Sequence, residues 1–278
     1  MLIFKTKSDL SSYLSSLADS LIGFVPTMGA LHNGHLELLR QAKKQCSVVV
    51  CSIFVNPTQF SNKEDFNSYP NTLSKDITKL EKINCDVLYV PDVSDLYTID
   101  EKTKHFNLNG LDNVMEGKFR KGHFDGVATI IEKFFNVIRP HKAYFGQKDL
   151  QQILVVKSLT KQLNLPIEIV SVPTIREENG LAMSSRNKLL NAKQKLVASM
   201  LYESLAFCKT NKDTFKIGEL KTHLEKQFLE QLEVDLEYLE FVNANNLQPI
   251  TVFRKNDNNA ICIGAYVAGV RLIDNIIF

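Results

Sequence analysis

The chain has 278 residues, 44% of them hydrophobic and 23% charged, with a net charge of +2. That length exceeds one small core and points to one large or two modest domains. The near-balanced charge argues against nucleic acid as the partner, because a phosphate-tracking surface carries a basic excess.

No run of about 18 apolar residues occurs, so no membrane-spanning helix is expected, and the first twenty positions lack the continuous apolar stretch of a secretory signal. The cysteines, Cys46, Cys51, Cys85, Cys208 and Cys262, are widely spaced and form no CxxC pair. Neither a zinc ribbon nor a disulfide framework follows. Small buried thiols in a reducing compartment, hence a cytoplasmic protein, are the expectation.

The first two thirds alternate helix-like and strand-like segments. Leu10, Tyr13, Leu14 and Leu17 give helical spacing over 8–18, and 21–26 is a short apolar run ending in proline. A helix is expected over 36–45. Positions 47–55 hold Val48, Val49, Val50, Ile53, Phe54 and Val55 and predict a strand. A helix over 72–83 has Thr72 or Ser74 as N-cap. A strand at 86–90, a helix at 126–138 stopped by Pro140, a strand at 143–145, a helix at 150–163 and a strand at 167–172 complete this part. Apolar strands separated by helices predict a Rossmann-like parallel sheet covered on both faces.

The last third predicts helices at 192–210 and 215–231, then strands at 235–242, 260–267 and 270–276, with Ala268-Gly269 as a hairpin turn. This reads as a smaller α+β C-terminal domain. The boundary falls in 176–187, with the division drawn as 1–178 and 179–278.

Ligands bind such sheets outside the carboxyl ends of the strands, and the unusual segments all follow strands. The first is Pro26-Thr27-Met28-Gly29-Ala30-Leu31-His32-Asn33-Gly34-His35. Glycines there let backbone approach a ligand, and the helix that follows offers a positive dipole end to phosphate. His32 and His35, three apart, can face one pocket and donate hydrogen bonds as charge builds on phosphate oxygens; helix capping is the plainer reading. No third metal ligand lies nearby, so no protein-held metal is expected.

Ala182-Met183-Ser184-Ser185-Arg186-Asn187 offers a guanidinium fork and two hydroxyls, or serves as a polar connector. In Gly146-Gln147-Lys148-Asp149, Lys148 suits a phosphate, and Asp149 a ribose or a helix cap. Asn56-Pro57-Thr58-Gln59-Phe60 places amides at a strand end, suited to a small polar substrate or to a solvated turn. Positions 115–126 concentrate charge, glycine and aromatics; a mobile lid, a cation-binding edge and a solvated loop are all open readings.

Taken in order, PTMGALHNGH, IFVNPTQF, GHFDGVATI, GQKDLQQ and LAMSSRN resemble the pantoate–β-alanine ligase (pantothenate synthetase) family, within the nucleotidyltransferase and class I aminoacyl-tRNA synthetase superfamily. The resemblance spans about 23–187. It implies a two-step reaction in which ATP and pantoate form pantoyl-adenylate and pyrophosphate with Mg²⁺ assisting. β-Alanine then displaces AMP to give pantothenate. It implies that Met28 through His35 line the ATP site, with His35 as proton donor and His32 on phosphates. Gly146, Gln147, Lys148 and Asp149 would bind ATP, with Ile175 on the adenine side and Met183, Ser184, Ser185 and Arg186 closing over the phosphates. Gln59 and Gln152 would hold pantoate, Gln59 also reaching β-alanine. The positive charge for in-line attack would come from His32, His35, Lys148, Arg186 and Mg²⁺. The family also implies a homodimer. A nucleotidyltransferase acting on a phosphate ester would want basic residues where Gln59 and Gln152 stand. A non-catalytic nucleotide-binding module would not need both histidines with Lys148 and Arg186.

Overall fold

The computed structural model describes residues 1–17, 19–60, 63–99, 101, 103–255 and 257–278. Six parallel strands form one sheet: β1 (Leu2–Phe4), β2 (Ile22–Thr27), β3 (Val48–Ile53), β4 (Val87–Tyr89), β5 (Lys142–Gly146) and β6 (Glu168–Val172), in the spatial order β1-β4-β3-β2-β5-β6. The central strands are apolar on both faces because both are covered. On one face Phe24, Val50, Val87 and Phe145 pack with the helices His123–Ile138 and Leu150–Gln162. On the other, Val25, Val49, Cys51 and Leu88 pack with Leu36 and Leu39 of the helix Asn33–Gln45 and Leu80 of the helix Leu73–Lys82. This is the Rossmann-like architecture expected from the strand pattern.

The strand order reverses between β2 and β5. β3 and β4 extend the sheet to one side of β2, and β5 and β6 to the other. A crevice at such a switch point is where open α/β sheets take their ligands. It is flanked here by the glycine–histidine segment after β2 and the Gly146–Asp149 segment after β5.

The C-terminal third forms an antiparallel sheet of β7 (Val234–Asn243), β8 (Asn259–Val267) and β9 (Val270–Ile277). Ala268 and Gly269 both have positive φ, 47° and 79°, so the β8–β9 connection is the two-residue turn with both central residues left-handed. Val172 belongs to the cluster of the large sheet and Leu181 to that of the C-terminal sheet, so packing allegiance changes between them.

Several elements depart from the sequence expectation. β1 is an additional edge strand of three residues, exposed at Leu2 and Ile3, too short and too wet for a periodicity to show. The first helix runs over Lys7–Ser15 from a Thr6 cap; the last position expected for it, Ala18, lies outside the described residues. The helix expected over 192–210 is two, Ala192–Ala198 and Met200–Asn211. At the break the Ser199 hydroxyl donates to the Leu196 carbonyl at 2.8 Å and also reaches Glu203, competing with the helical ladder. Positions 115–126 are neither lid nor solvated loop. They form a short helix, Met115–Phe119, a left-handed turn at Gly122 (φ 78°) and the first turn of His123–Ile138. Met115, Glu116, His123 and Phe124 are buried.

Candidate active site

β2 ends at Thr27, whose hydroxyl donates to the Ser52 carbonyl of β3 at 2.7 Å and accepts the Gly29 N–H at 3.2 Å. Gly29 and Ala30 then turn through positive φ, 80° and 49°. Asp76, wholly buried in the helix Leu73–Lys82, holds this turn. Its carboxylate accepts the Ala30 N–H at 2.8 Å, the Leu31 N–H at 2.9 Å and the Thr72 hydroxyl at 2.9 Å. Lys79 of the same helix donates to the Leu31 carbonyl.

The chain delivered by that turn enters the helix Asn33–Gln45 with His32 as its N-cap. His35 Nδ1 accepts the His32 backbone N–H at 3.3 Å. Nδ1 is therefore unprotonated, and the proton of the neutral ring sits on Nε2, which remains as a donor. The two rings lie 4.0 Å apart between centroids. His32 Nδ1 is buried with no hydrogen-bond partner among the described residues. A side chain at Gly34 would meet that ring at 2.9 Å, so only glycine lets His32 lie there.

Both histidines are electrically neutral near pH 7. Burial, then the repulsion that a protonated His35 and Lys148 would exert, pulls His32 down to about 2. Burial and Lys148 pull His35 to about 4, against the opposing pull of Asp149 and Asp76. The expectation that the pair supplies positive charge is thus corrected: both rings are neutral, and Lys148 and Arg186 are cationic groups of the same lining.

The segment after β3 contributes Gln59 from the turn Pro57–Gln59. Its Oε1 accepts from Asn56 Nδ2 at 3.2 Å and its Nε2 donates to Met28 Sδ at 3.0 Å. His123 Nδ1 donates to the Gln59 carbonyl at 2.7 Å, and His123 Nε2 faces Arg120 Nη1 at 3.0 Å. Burial and Arg120 hold His123 at about 3, so it too is neutral. Gly126 allows this contact: a Cβ there would lie 2.3 Å from the Thr58 carbonyl oxygen.

After β5, Gly146 leads into the turn Gln147–Asp149. Lys148 Nζ lies 3.3 Å from Asp149. Asp149 makes no side-chain cap bond to the helix that follows, so its carboxylate is not spent on capping. Asn275 of β9 donates to the Gln147 and Lys148 carbonyls at 2.9 and 2.8 Å.

After β6, the strand-like pair Arg176↔Ala182 folds the chain back so that Ile175 and Met183 are neighbours, the Met183 N–H reaching the Ile175 carbonyl at 2.9 Å. Ser185 donates to the Ala30 carbonyl at 3.1 Å, joining this segment to the loop after β2. Ser184 caps the turn Ser185–Leu189 by accepting the Arg186 N–H at 3.3 Å.

One cavity gathers these segments. Met28, His32, Gly34, His35, Gln59, Gly146, Lys148, Asp149, Gln152, Ile175, Met183, Ser184, Ser185 and Arg186 line it. Gly29, Ala30, Leu31, Asn33 and Gln147 stand behind the lining. The N–H groups of Ala30 and Leu31 are engaged by Asp76, and the Asn33 side is exposed to solvent.

The cavity is also lined by Glu116, Arg120 and His123, from the charge- and glycine-rich segment 115–126 but given no role from the sequence, and by Tyr238 and Arg271, which no motif marked. Arg271 of β9 grips Glu116 with both arms, at 2.7 and 2.6 Å, and the Tyr238 hydroxyl reaches the same carboxylate at 2.9 Å. Burial raises Glu116, but Arg271 outweighs it and holds the carboxyl at about 2. Arg271 also pairs with Glu237. The charge and glycine density of 115–126 was the only signal for this cluster.

Residues 2–277 match the family described as Pantoate-beta-alanine ligase. The chain belongs to the pantoate–β-alanine ligase family. It is 48% identical to the pantothenate synthetase of Cytophaga hutchinsonii over 259 residues, 92% of this chain and 91% of that protein. Against the pantothenate synthetase of Flavobacterium psychrophilum it is 42% identical, with 99% of each chain covered. Among solved structures, pantothenate synthetase from Thermus thermophilus superposes with a TM-score of 0.92 at 36% identity, covering 99% of both chains. Pantoate-beta-alanine ligase from Francisella tularensis, complexed with Beta-gamma ATP and Beta-alanine, gives 0.81 at 35% identity over 100% of this chain and 97% of that one. Family membership matches what the five motifs implied, and each of the five contributes residues to the lining of the cavity.

Proposed function

We propose that the protein joins pantoate to β-alanine, converting ATP to AMP and pyrophosphate. The observation that carries this is the convergence of His32, His35, Lys148, Arg186, Gln59 and Gln152 on one cavity at the switch point of the sheet. The relative from Francisella tularensis, complexed with Beta-gamma ATP and Beta-alanine, supports the substrate assignment.

In the first step a pantoate carboxylate oxygen bonds to the α-phosphorus, the bond to the bridging oxygen breaks, and pyrophosphate leaves with the electron pair. Such a step needs positioning and charge stabilisation more than covalent help. Lys148 and Arg186 supply the charge. His35 donates its Nε2–H, and His32 contacts phosphate. Gly146, Gln147 and Asp149 hold the nucleotide, Ile175 flanks the adenine, and Met183, Ser184 and Ser185 close over the phosphates. Gln59 and Gln152 suit pantoate because each amide both donates and accepts. In the second step the β-alanine nitrogen bonds to the acyl carbon, the acyl–oxygen bond breaks, AMP leaves with the electron pair, and the nitrogen loses a proton.

Among the described residues no group of three His, Cys, Asp or Glu forms a metal cage. Mg²⁺ commonly keeps several waters and binds one or two carboxylates plus substrate phosphates. The cavity fits that mode: an ion bound with the nucleotide would neutralise phosphate charge, with Asp149 the carboxylate at hand. The reading includes residues 179–278 as a domain closing over the sheet edge, a homodimer, and a cytoplasmic location, which the free cysteines suit.

The test is AMP formation by the purified protein with ATP, Mg²⁺, pantoate and β-alanine. AMP that requires both organic substrates supports the reading, and none under any condition overturns it. His35→Ala is expected to slow pantoate-dependent adenylation at least about a hundredfold, the size typical of a lost transition-state donor, with circular dichroism unchanged. Near-normal turnover would move the donor role elsewhere.

A further inference from the structure

Arg120 has no part in the reaction as assigned so far, yet it lines the cavity. It is largely buried, with 16% of its side chain exposed. Its contacts among the described residues both come from one arm: Nη1 reaches Glu116 Oε2 at 3.4 Å and His123 Nε2 at 3.0 Å. The Glu116 carboxylate is already engaged by the Arg271 fork and the Tyr238 hydroxyl. Glu116 therefore orients Arg120 without closing its fork. The Nε and Nη2 donors of Arg120 have no protein partner among the described residues. A guanidinium held this way presents the planar, two-pronged edge that matches a carboxylate.

We propose that Arg120 receives the carboxylate of β-alanine through Nε–H and Nη2–H, and so selects an anionic amine as the second substrate. The assignment rests on the ligase reading above. Other anions in the reaction have other partners. The nucleotide phosphates have Lys148 and Arg186, on the segments after β5 and β6. The pantoate carboxylate must act as a nucleophile, and a fork on both its oxygens would blunt it. Arg120 instead adjoins Gln59, since His123 contacts both the guanidinium and the Gln59 carbonyl. β-Alanine carries its two charges at opposite ends of two methylenes. With its carboxylate on Arg120, its amine can reach toward an acyl group held beside Gln59. Glu116 and Arg271 are then positioning residues for Arg120.

The experiment compares the full-length protein with Arg120→Gln and Arg120→Lys. Three quantities are read: pantoate-dependent exchange of pyrophosphate into ATP, KM for β-alanine, and kcat/KM for 3-aminopropanamide, the neutral amide of β-alanine. Loss of a charge-assisted pair predicts a KM for β-alanine raised about 10- to 100-fold in Arg120→Gln. The exchange is expected to fall by no more than about threefold on the same grounds, since adenylation does not use that pair. The preference of the unmodified protein for β-alanine over its amide is expected to collapse in Arg120→Gln and to survive in part in Arg120→Lys. An exchange rate that falls as far as the β-alanine reaction overturns the proposal, as does an unmodified protein that accepts the amide as readily as β-alanine. The amide comparison needs no variant, so it decides even if the substitutions fail to fold. Absence of pantoate-dependent exchange in the unmodified protein overturns the ligase reading itself, whereas exchange with no Arg120 effect overturns only this assignment.

Discussion

Three histidines around the cavity are held neutral by burial: His32 at about 2, His123 at about 3 and His35 at about 4. Two of them also have a geometry that protonation breaks. His35 Nδ1 accepts the His32 N–H, and His123 Nε2 faces the Arg120 cation. In the unfolded chain these rings titrate near their usual value of about 6.5. Between that value and their folded ones, the unfolded state binds more protons, so stability is full above about pH 6.5 and drains as pH falls. The expected slope is up to about 1.4 kcal/mol per pH unit for each histidine. Urea titrations at pH 7, 6 and 5 check this. His123→Asn, which retains a donor for the Gln59 carbonyl, is expected to flatten the slope by one histidine's share. An unchanged slope in that variant would show that His123 is already protonated in the folded protein.

The loop that carries the histidines is built by an element far from it in sequence. Asp76 sits on the helix Leu73–Lys82, yet it takes the N–H groups of Ala30 and Leu31, both buried. Replacing it with alanine leaves two buried donors unmatched and the positive-φ turn unsupported. Asp76→Ala is expected to lower unfolding free energy by about 2–4 kcal/mol and to slow adenylation with it. A loss under about 0.5 kcal/mol, within the range of ordinary surface substitutions, would mean the turn holds itself. Asp76 also marks what the sequence makes legible. The strand–glycine–histidine–helix segment reads directly because its parts are contiguous and each has a local reason to be there. The parallel strands read from their two-sided apolar runs. Asp76 does not read, and Arg120 and His123 read only as part of the charge-rich segment 115–126, because a charged residue in a helical or polar stretch looks solvated until the fold buries it beside a partner. β1 is missed for the opposite reason, having neither length nor burial enough to leave a pattern.

At the scale of the whole molecule, the C-terminal sheet is a structural part of the site. Asp274 of β9 takes both arms of Arg176, at 2.5 and 3.1 Å, and the next residue, Asn275, donates to two carbonyls of the turn that presents Lys148. Burial raises the Asp274 pKa and the Arg176 charge only partly opposes it. Asn275 is itself buried, and a donor amide is the group its position needs. Asn275→Ala removes the tie between the C-terminal sheet and the Lys148 turn. Asn275→Asp is nearly the same size, but it sets an acceptor against two acceptors and is expected to be the more damaging. If the C-terminal sheet fixes the nucleotide side of the cavity, both variants raise KM for ATP, Asn275→Ala by about thirtyfold for two lost bonds of about 1 kcal/mol each. KM for β-alanine should move far less, because the Asn275 amide engages the Gln147 and Lys148 carbonyls, whereas Arg120 is oriented by Glu116 and Arg271. Steady-state kinetics with each substrate varied in turn reads the split. Equal increases for both substrates would show that β9 supports the cavity as a whole and does not position the Lys148 turn in particular.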